Sequence, residues 1–147
     1  INSFDFKKFH PSGSLGEKLK TVDDLMLTKE KIPFINENTP MSKALRIMTK
    51  KKLGILIATN KKKHTTGIIT DGQIRRFNSK NLPLNLLRVK NVMTKNPIKV
   101  ERNTLATKAL LIMNENKITS LCVYDKGKKL ITIGIVHVHN ILNKKIY

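Results

Sequence analysis

Two short polar segments carry the side chains of this chain that could bind an oxyanion or a sugar. The first combines a hydroxyl, a carboxylate, an amide and two guanidinium groups, in Thr70, Asp71, Gln73, Arg75 and Arg76. The second combines two imidazoles with an amide, in His137, His139 and Asn140. Guanidinium groups bind phosphate and carboxylate with paired hydrogen bonds, and amides hydrogen-bond sugar hydroxyls. Because adjacent residues of a helix point in different directions, we expect only one of the two arginines to serve a ligand.

The two histidines also raise the question of a metal ion. Side chains two apart on a strand share a face, but no carboxylate or cysteine stands beside His137 and His139 to complete a ligand set. We therefore expect a structural or ligand-contacting role for them, with no metal and no cofactor. The chain has only 10 acidic residues, and its sequence shows no paired carboxylates and no Ser-His-Asp or Cys-His arrangement for catalysis.

Both polar segments stand at the same place of an internal repeat of about 65 residues. Residues spaced as on one buried helix face occur twice, as Met41, Ala44, Leu45 and Met48 and as Ala106, Ala109, Leu110 and Met113. Thr39 and Thr104 precede these helices, and we expect them to be the N-caps. Glycine-led apolar strands then enter the polar segments, as Gly67-Ile68-Ile69 and Gly134-Ile135-Val136, and we expect the second returning strand to begin at Leu130. Met26 and Met93 precede the two copies.

The repeated order is strand-helix-strand-strand-helix. It predicts an α/β fold of two such units related by a pseudo-twofold axis, with a ligand cleft between them. We expect a linker at residues 1–20, one unit at 21–78, a second linker at 79–87 and the other unit at 88–147. The first residue is Ile1, and we expect the chain to be a piece of a longer one.

The formal net charge of +19 suggests nucleic acid as a partner. The lysines, however, are scattered over helix ends, hairpin tips and the carboxyl terminus, arginine is scarce, and no aromatic residues are interleaved for stacking. We expect a solvated basic surface, and a nucleic-acid-binding protein remains an alternative. No apolar stretch approaches the roughly 18 residues of a membrane span, so we expect no membrane partner. A single cysteine, which excludes an intrachain disulfide, favours the cytoplasm.

The repeated order resembles the tandem cystathionine β-synthase (CBS) domain pair, the Bateman module. Four segments further resemble the carboxyl-terminal region of the arabinose-5-phosphate isomerase family: FHPSGSLGEKL at 9–19, DLM at 24–26, TDGQIRR at 70–76 and HVHNIL at 137–142. In that family a sugar isomerase domain precedes the CBS pair. The resemblance implies that this chain is the regulatory part and that the isomerase domain is its missing partner. The parent enzyme would interconvert arabinose 5-phosphate and ribulose 5-phosphate for synthesis of Kdo, the acid sugar of lipopolysaccharide and some capsules.

The same resemblance assigns roles to particular residues. His10 lies in the family's HPxGxLG segment, near the isomerase active site, where a histidine could move protons if the missing domain were present. The resemblance also implies a homo-oligomer, for which Ile141, Leu142 and Ile146 of the last helix offer apolar surface. A stand-alone CBS pair that serves another partner is a second alternative.

CBS pairs bind ligands where the second hairpin strand enters the last helix, at glycine, two apolar residues, threonine or serine, two residues and aspartate. That aspartate grips the ribose hydroxyls, whereas Gln73 and Asn140 stand in its place here. For each segment two roles stay open, capping the helix or binding a ligand. The missing carboxylates argue against tight binding of AMP or ATP. We expect instead a phosphorylated or nucleotide sugar, such as the pathway product CMP-Kdo.

Overall fold

The structure, a computed structural model, describes residues 20–52, 54–81 and 83–146. Its helices are α1 (Val22–Leu25), α2 (Met41–Lys51), α3 (Asp71–Ser79), α4 (Val89–Val92), α5 (Ala106–Asn116) and α6 (Val138–Ile146), with 3-10 turns at Lys29–Lys31 and Leu84–Leu86. Its strands are β1 (Phe34–Asn36), β2 (Ile55–Thr59), β3 (Thr65–Thr70), β4 (Thr94–Lys95), β5 (Lys99–Glu101), β6 (Ser120–Tyr124) and β7 (Gly134–His137). The predicted α/β class and the twice-repeated order of elements are confirmed. None of the helices in the described ranges is long and apolar enough to cross a bilayer.

The described chain packs into two compact units. The Gln73 unit comprises Lys29–Ile98 and Leu130–Thr132. Of the described residues, the Asn140 unit comprises Lys20–Thr28, Lys99–Lys129 and Ile133–Ile146. Each unit is named here for the amide residue in the first turn of its α3 or α6 helix.

The Gln73 unit is built on a sheet of order β1-β2-β3-β4. β1 is parallel to β2, β2 and β3 form an antiparallel hairpin, and β4 is antiparallel to β3. α2 covers this sheet with the predicted apolar face, of which Met41, Ala44 and Met48 are buried while Leu45 is only partly buried. The helix ends at Lys52 in the left-handed conformation.

The Asn140 unit repeats this plan with three strands in the order β5-β6-β7. β5 is parallel to β6, and β6 is antiparallel to β7. Ala106, Ala109 and Met113 of α5 are buried against the sheet, and Leu110 is partly buried. Ile141 also enters this core, at 2% exposure, so the expectation that it offers surface for an oligomer is wrong.

Both long helices begin one residue later than predicted. The N-caps are Pro40 and Leu105, and neither forms a side-chain capping bond, so the assignment of Thr39 and Thr104 as caps is wrong. The reason is that a distant backbone carbonyl satisfies the first helical N–H group. The amide of Met41 donates to Leu87 O at 2.8 Å, and that of Ala106 donates to Lys20 O at 2.8 Å. A capping side chain is unnecessary for a helix start paired in this way.

Neither unit is simply one half of the chain. The short helix that precedes each copy packs in the unit built mainly from the other copy. α1 precedes the first copy but packs in the Asn140 unit, where Val22 is fully buried and its amide donates to Thr104 O at 2.8 Å. α4 precedes the second copy but packs in the Gln73 unit, where the amide of Val89 donates to Thr39 O at 2.8 Å. Arg102 holds α1 further by an ion pair with Asp23 at 2.7 Å.

The second returning strand is shorter than predicted. β7 covers only Gly134–His137, and Leu130–Thr132 packs in the Gln73 unit instead. There the amide of Thr65 donates to Leu130 O at 2.7 Å, and the hydroxyls of Thr65 and Thr132 share a buried hydrogen bond. The sequence predicted a longer strand because Leu130 and Ile131 are apolar residues of the kind that strands contain. In the structure, Leu130 instead pairs with Thr65 of the first copy.

A methionine lies directly over a glycine at corresponding places of the two units. A Cβ on Gly67 would stand 2.6 Å from Met93 Sδ and 2.7 Å from Thr94 O. A Cβ on Gly134 would likewise overlap Met26 Sδ. These contacts bring β4 onto β3, and they bring Leu27 onto Ile135 in an antiparallel bridge.

We expect Gly67→Ala to destabilise the fold by about 1–3 kcal/mol, as overpacking of a tight contact does. The added methyl group would push Met93 and the backbone of Thr94 away from β3. Gly54→Ala is the matched control, since its nearest atom would be Asp71 Oδ2 at an ordinary 3.7 Å. The free energies of unfolding in urea check this, and equal losses in the two variants would contradict it.

Candidate functional site

The start of α3 is held by a reciprocal pair of hydrogen bonds between Thr70 and Gln73. Thr70 Oγ1 accepts from the amide of Gln73 at 3.3 Å, and Gln73 Oε1 accepts from the amide of Thr70 at 2.9 Å. This is a capping box, with glutamine at the third helical position. Both residues were predicted as ligand contacts, and the structure uses them to begin the helix.

The other end of the Gln73 amide is also engaged. Gln73 is 8% exposed, and its Nε2 donates to Thr94 Oγ1 at 2.5 Å and to Val92 O at 3.3 Å. The side chain therefore ties α3 to the segment that joins α4 and β4. An amide suits this place because it accepts at one end and donates at the other, which a carboxylate at neutral pH cannot do.

The Asn140 unit builds the same helix start from different side chains. Asn140 Oδ1 accepts from the amide of His137 at 2.7 Å. His137 replaces the threonine, and its ring Nδ1 accepts from the amide of His139 at 3.1 Å. The two imidazole rings lie 4.7 Å apart between centroids, with their planes 31° apart. The second predicted site is therefore a helix cap that contains a titratable acceptor.

Burial and a neighbouring imidazole disfavour a positive charge on the His137 ring of this cap. Burial lowers the pKa of His137 below its ordinary value, and the neighbouring His139 lowers it further because two imidazolium charges would repel. Only an unprotonated Nδ1 can accept the hydrogen bond from the amide of His139. Protonation of His137 would remove this bond and would place a positive charge at a helix start, where the helix dipole disfavours it.

The remaining residues of the first polar segment, Asp71, Arg75 and Arg76, do not share one cavity. Asp71 lines a cavity of about 400 Å³ between α2 and α3, together with Leu45, Met48, Thr49, Lys52 and Ile74. Arg76 lines a different cavity of about 170 Å³, together with Gln73, Phe77 and Lys80. Arg75 is exposed and lines neither of these two cavities. The expectation that the adjacent arginines diverge agrees with this placement.

Sequence reasoning missed Phe77 and Lys80 as neighbours of Gln73 and Arg76. A usable signal was present, because these four residues follow the i, i+3, i+4, i+7 spacing of one helix face. His10 lies outside the described residues. Within residues 20–52, 54–81 and 83–146, no three His, Cys, Asp or Glu side chains come close enough together to hold a metal ion.

Comparison with known proteins shows the family of this chain. The model of the CBS domain matches residues 22–80 and 89–146. The arabinose 5-phosphate isomerase KdsD of Yersinia pestis is 37% identical over 139 residues, and the match covers 94% of this chain and 42% of that protein. The chain thus spans less than half the length of this curated relative.

Two solved structures share the fold. CBSX2 in complex with AMP matches with a TM-score of 0.75 and 22% identity over 86% of this chain and 96% of that one. The CBS domain pair of protein MJ0100, in complex with 5'-methylthioadenosine and S-adenosyl-L-methionine, matches with a TM-score of 0.75 and 20% identity over the same shares.

We expect the stability of the chain to fall in mild acid because of the His137 cap. The pKa of His137 is lower in the folded state than the about 6.5 of an exposed histidine. The unfolded chain therefore takes up the proton first, so this stability is fully present above about pH 6.5 and is lost as the pH falls toward the folded pKa. Urea unfolding at a series of pH values measures the slope.

His137→Thr should flatten this slope, because threonine caps the equivalent helix in the Gln73 unit without titrating. His64→Asn is the control, since His64 lies in the β2–β3 turn and serves no helix start. A slope that changes as much in His64→Asn as in His137→Thr would assign the acid sensitivity to the overall charge.

Proposed function

The chain belongs to the CBS domain family, and we propose that it is the regulatory CBS pair of an arabinose-5-phosphate isomerase that senses a nucleotide or sugar-phosphate ligand. The single observation that carries the proposal is the 37% identity to KdsD of Yersinia pestis along 94% of this chain. The parent protein would join this pair to a sugar isomerase domain and would interconvert arabinose 5-phosphate and ribulose 5-phosphate for Kdo, and hence for lipopolysaccharide or capsule. His10 would serve catalysis only beside that domain.

The helix starts favour a ligand that is recognised through its anionic groups over one that is recognised through its ribose hydroxyls. Gln73 and Asn140 stand where the family's ribose-binding aspartate would be, and their carbonyl oxygens already accept from Thr70 and His137. Neither offers the free carboxylate that holds two ribose hydroxyls at once. A net charge of +19 attracts anions without selecting among them. A nucleotide sugar such as CMP-Kdo carries a phosphate and a carboxylate at two separate places, so it could contact cationic side chains at two points, whereas AMP offers a single phosphate group.

The proposal includes a homo-oligomer in the cytoplasm. Support for an oligomer comes from large apolar side chains left exposed on the Asn140 unit, Leu105, Leu111 and Leu142, at 43%, 55% and 41% exposure. Isolated exposed leucines are common on monomers. We propose that some of these three leucines contact another copy of the chain.

Calorimetry at physiological salt tests the ligand directly. We expect CMP-Kdo to bind at least about tenfold more tightly than AMP, and inorganic phosphate to bind weakest, because only CMP-Kdo combines two anionic groups with a nucleoside. Equal binding of all three, suppressed equally by added salt, would reduce the site to a general basic surface.

We expect Asn140→Asp to raise the affinity for AMP about tenfold. One carboxylate oxygen can still accept from the amide of His137, and the other becomes available for a ribose hydroxyl. Asn91→Asp is the matched control, because Asn91 Oδ1 caps α4 in the same way by accepting from the amide of Arg88 at 2.9 Å. A gain in AMP affinity in both variants, or in neither, would show that the Asn140 position does not contact the ribose.

A further inference from the structure

Two of the five methionines combine a tight contact with partial exposure to solvent. Met26 and Met93 are partly buried against the two cores, and each thioether packs onto a glycine. The other three, Met41, Met48 and Met113, lie inside the cores at no more than 4% exposure. The methionines at the glycine contacts are therefore the two whose side chains an oxidant in solution reaches most easily.

The contact of Met93 with β3 leaves little spare room. A Cβ on Gly67 would stand 2.6 Å from Met93 Sδ and 2.7 Å from its Cγ, so the thioether lies against the strand backbone. The hydroxyl of Thr66 also donates to this sulfur at 3.8 Å. Oxidation to the sulfoxide adds an oxygen atom to the sulfur and makes an apolar packing group polar. Such a change at this contact would move β4 away from β3.

A pair of hydrogen bonds connects the methionine contact to the start of α3. Thr94 follows Met93 in the chain and pairs with Ile68 of β3. Its hydroxyl accepts from Gln73 Nε2 at 2.5 Å. Gln73 Oε1 in turn accepts from the amide of Thr70 in the capping box. Displacement of β4 would thus remove a partner from the side chain that caps the helix.

The Asn140 unit has the same methionine contact but an apolar residue after it. Met26 packs on Gly134, and Leu27 forms a backbone bridge with Ile135. A leucine side chain has no hydrogen-bonding group. Oxidation of Met26 would loosen the bridge, but Leu27 has no side-chain bond through which to disturb the cap of α6. The same chemical change should therefore have different consequences in the two units.

We propose that Met93 is a site of reversible oxidation by peroxides, and that its sulfoxide form releases β4 and weakens the start of α3. The sulfur donates an electron pair to one oxygen of hydrogen peroxide, so an S–O bond forms as the O–O bond breaks. The transferred oxygen gives its proton to the departing hydroxide, which leaves as water. Methionine is thereby oxidised by two electrons. The inference goes beyond the proposed function and requires no bound ligand.

The modification is reversible because methionine sulfoxide reductases act on it. In that reaction a dithiol supplies two electrons and becomes a disulfide, and the sulfoxide oxygen leaves as water. The thioether and its packing on Gly67 are then restored.

Peroxide treatment of the folded 147-residue chain, followed by mass spectrometry of its peptides, tests the site. We expect Met26 and Met93 to oxidise at least about tenfold faster than the three buried methionines, because oxidation follows exposure. In urea, where the chain is unfolded, the five rates should converge. If Met93 oxidises no faster than the buried methionines in the folded chain, the proposal is wrong.

Amide hydrogen exchange followed by NMR measures the effect on α3. The amide of Thr70 is a specific reporter, because it donates to Gln73 Oε1. We expect its exchange to become about tenfold faster in the oxidised chain and to slow again after treatment with a methionine sulfoxide reductase and dithiothreitol. Met93→Leu should abolish the acceleration, whereas the matched control Met26→Leu should retain it.

Three results would overturn the proposed role of Met93. The first is an acceleration that persists in Met93→Leu, since another methionine would then cause it. The second is an oxidised Met93 that leaves the exchange of Thr70 unchanged. The third is fast exchange that remains after mass spectrometry shows Met93 to be reduced. This last measurement needs no substitution, so it decides the question even if Met93→Leu does not fold.

Discussion

The close approach of a methionine to a glycine is the constraint on which the arrangement of the Gln73 unit depends. Met93 lies where a side chain on Gly67 would be, so β4 can pair with β3. This pairing places the Thr94 hydroxyl within hydrogen-bonding distance of Gln73 Nε2. The Gln73 amide therefore accepts within the capping box of α3 and donates to Thr94. The Asn140 unit has the same methionine and glycine, but Leu27 stands where the other unit has Thr94 and offers no side-chain acceptor. One architectural contact thus supports a closed polar network in one unit and a more open one in the other.

Periodicity predicted the parts of the fold that depend on burial. The buried apolar faces of α2 and α5 share one residue spacing because each helix covers an equivalent sheet. The capping pair of α3 is also local, since Thr70 and Gln73 lie within four consecutive residues. Hydrogen bonds between residues far apart in the chain could not be predicted from the sequence. The first helical N–H groups at Met41 and Ala106 donate to the carbonyls of Leu87 and Lys20. Leu130–Thr132 packs in the Gln73 unit, where Leu130 O accepts from the amide of Thr65. No local pattern encodes a partner that lies dozens of residues away.

The candidate site shows the same division. Spacing alone separated Arg75 from Arg76, because adjacent helical residues diverge. It could not show that Gln73 turns inward, since an amide suits a ligand and a buried cap equally well. Phe77 and Lys80 could have been found from the sequence, because their spacing places them on the helix face of Gln73 and Arg76, and the four residues line one cavity. A polar side chain that could bind a ligand can already be used by the fold, as Gln73 and Asn140 are at their helix starts. Only polar groups without such a structural role are left to bind a partner.

The exchanged segments have a consequence for how such a protein can evolve. α1 precedes the first copy and completes the core of the Asn140 unit, whereas α4 precedes the second copy and completes the Gln73 unit. A gene divided between the two copies would encode two polypeptides. One would carry Met26, which packs on Gly134 of the other, and the other would carry Met93, which packs on Gly67 of the first. Neither polypeptide would then hold a complete core, so we expect duplication, loss or transfer to a new enzyme to involve the pair as a whole. Within it, either copy can change its polar residues while the shared scaffold is inherited intact.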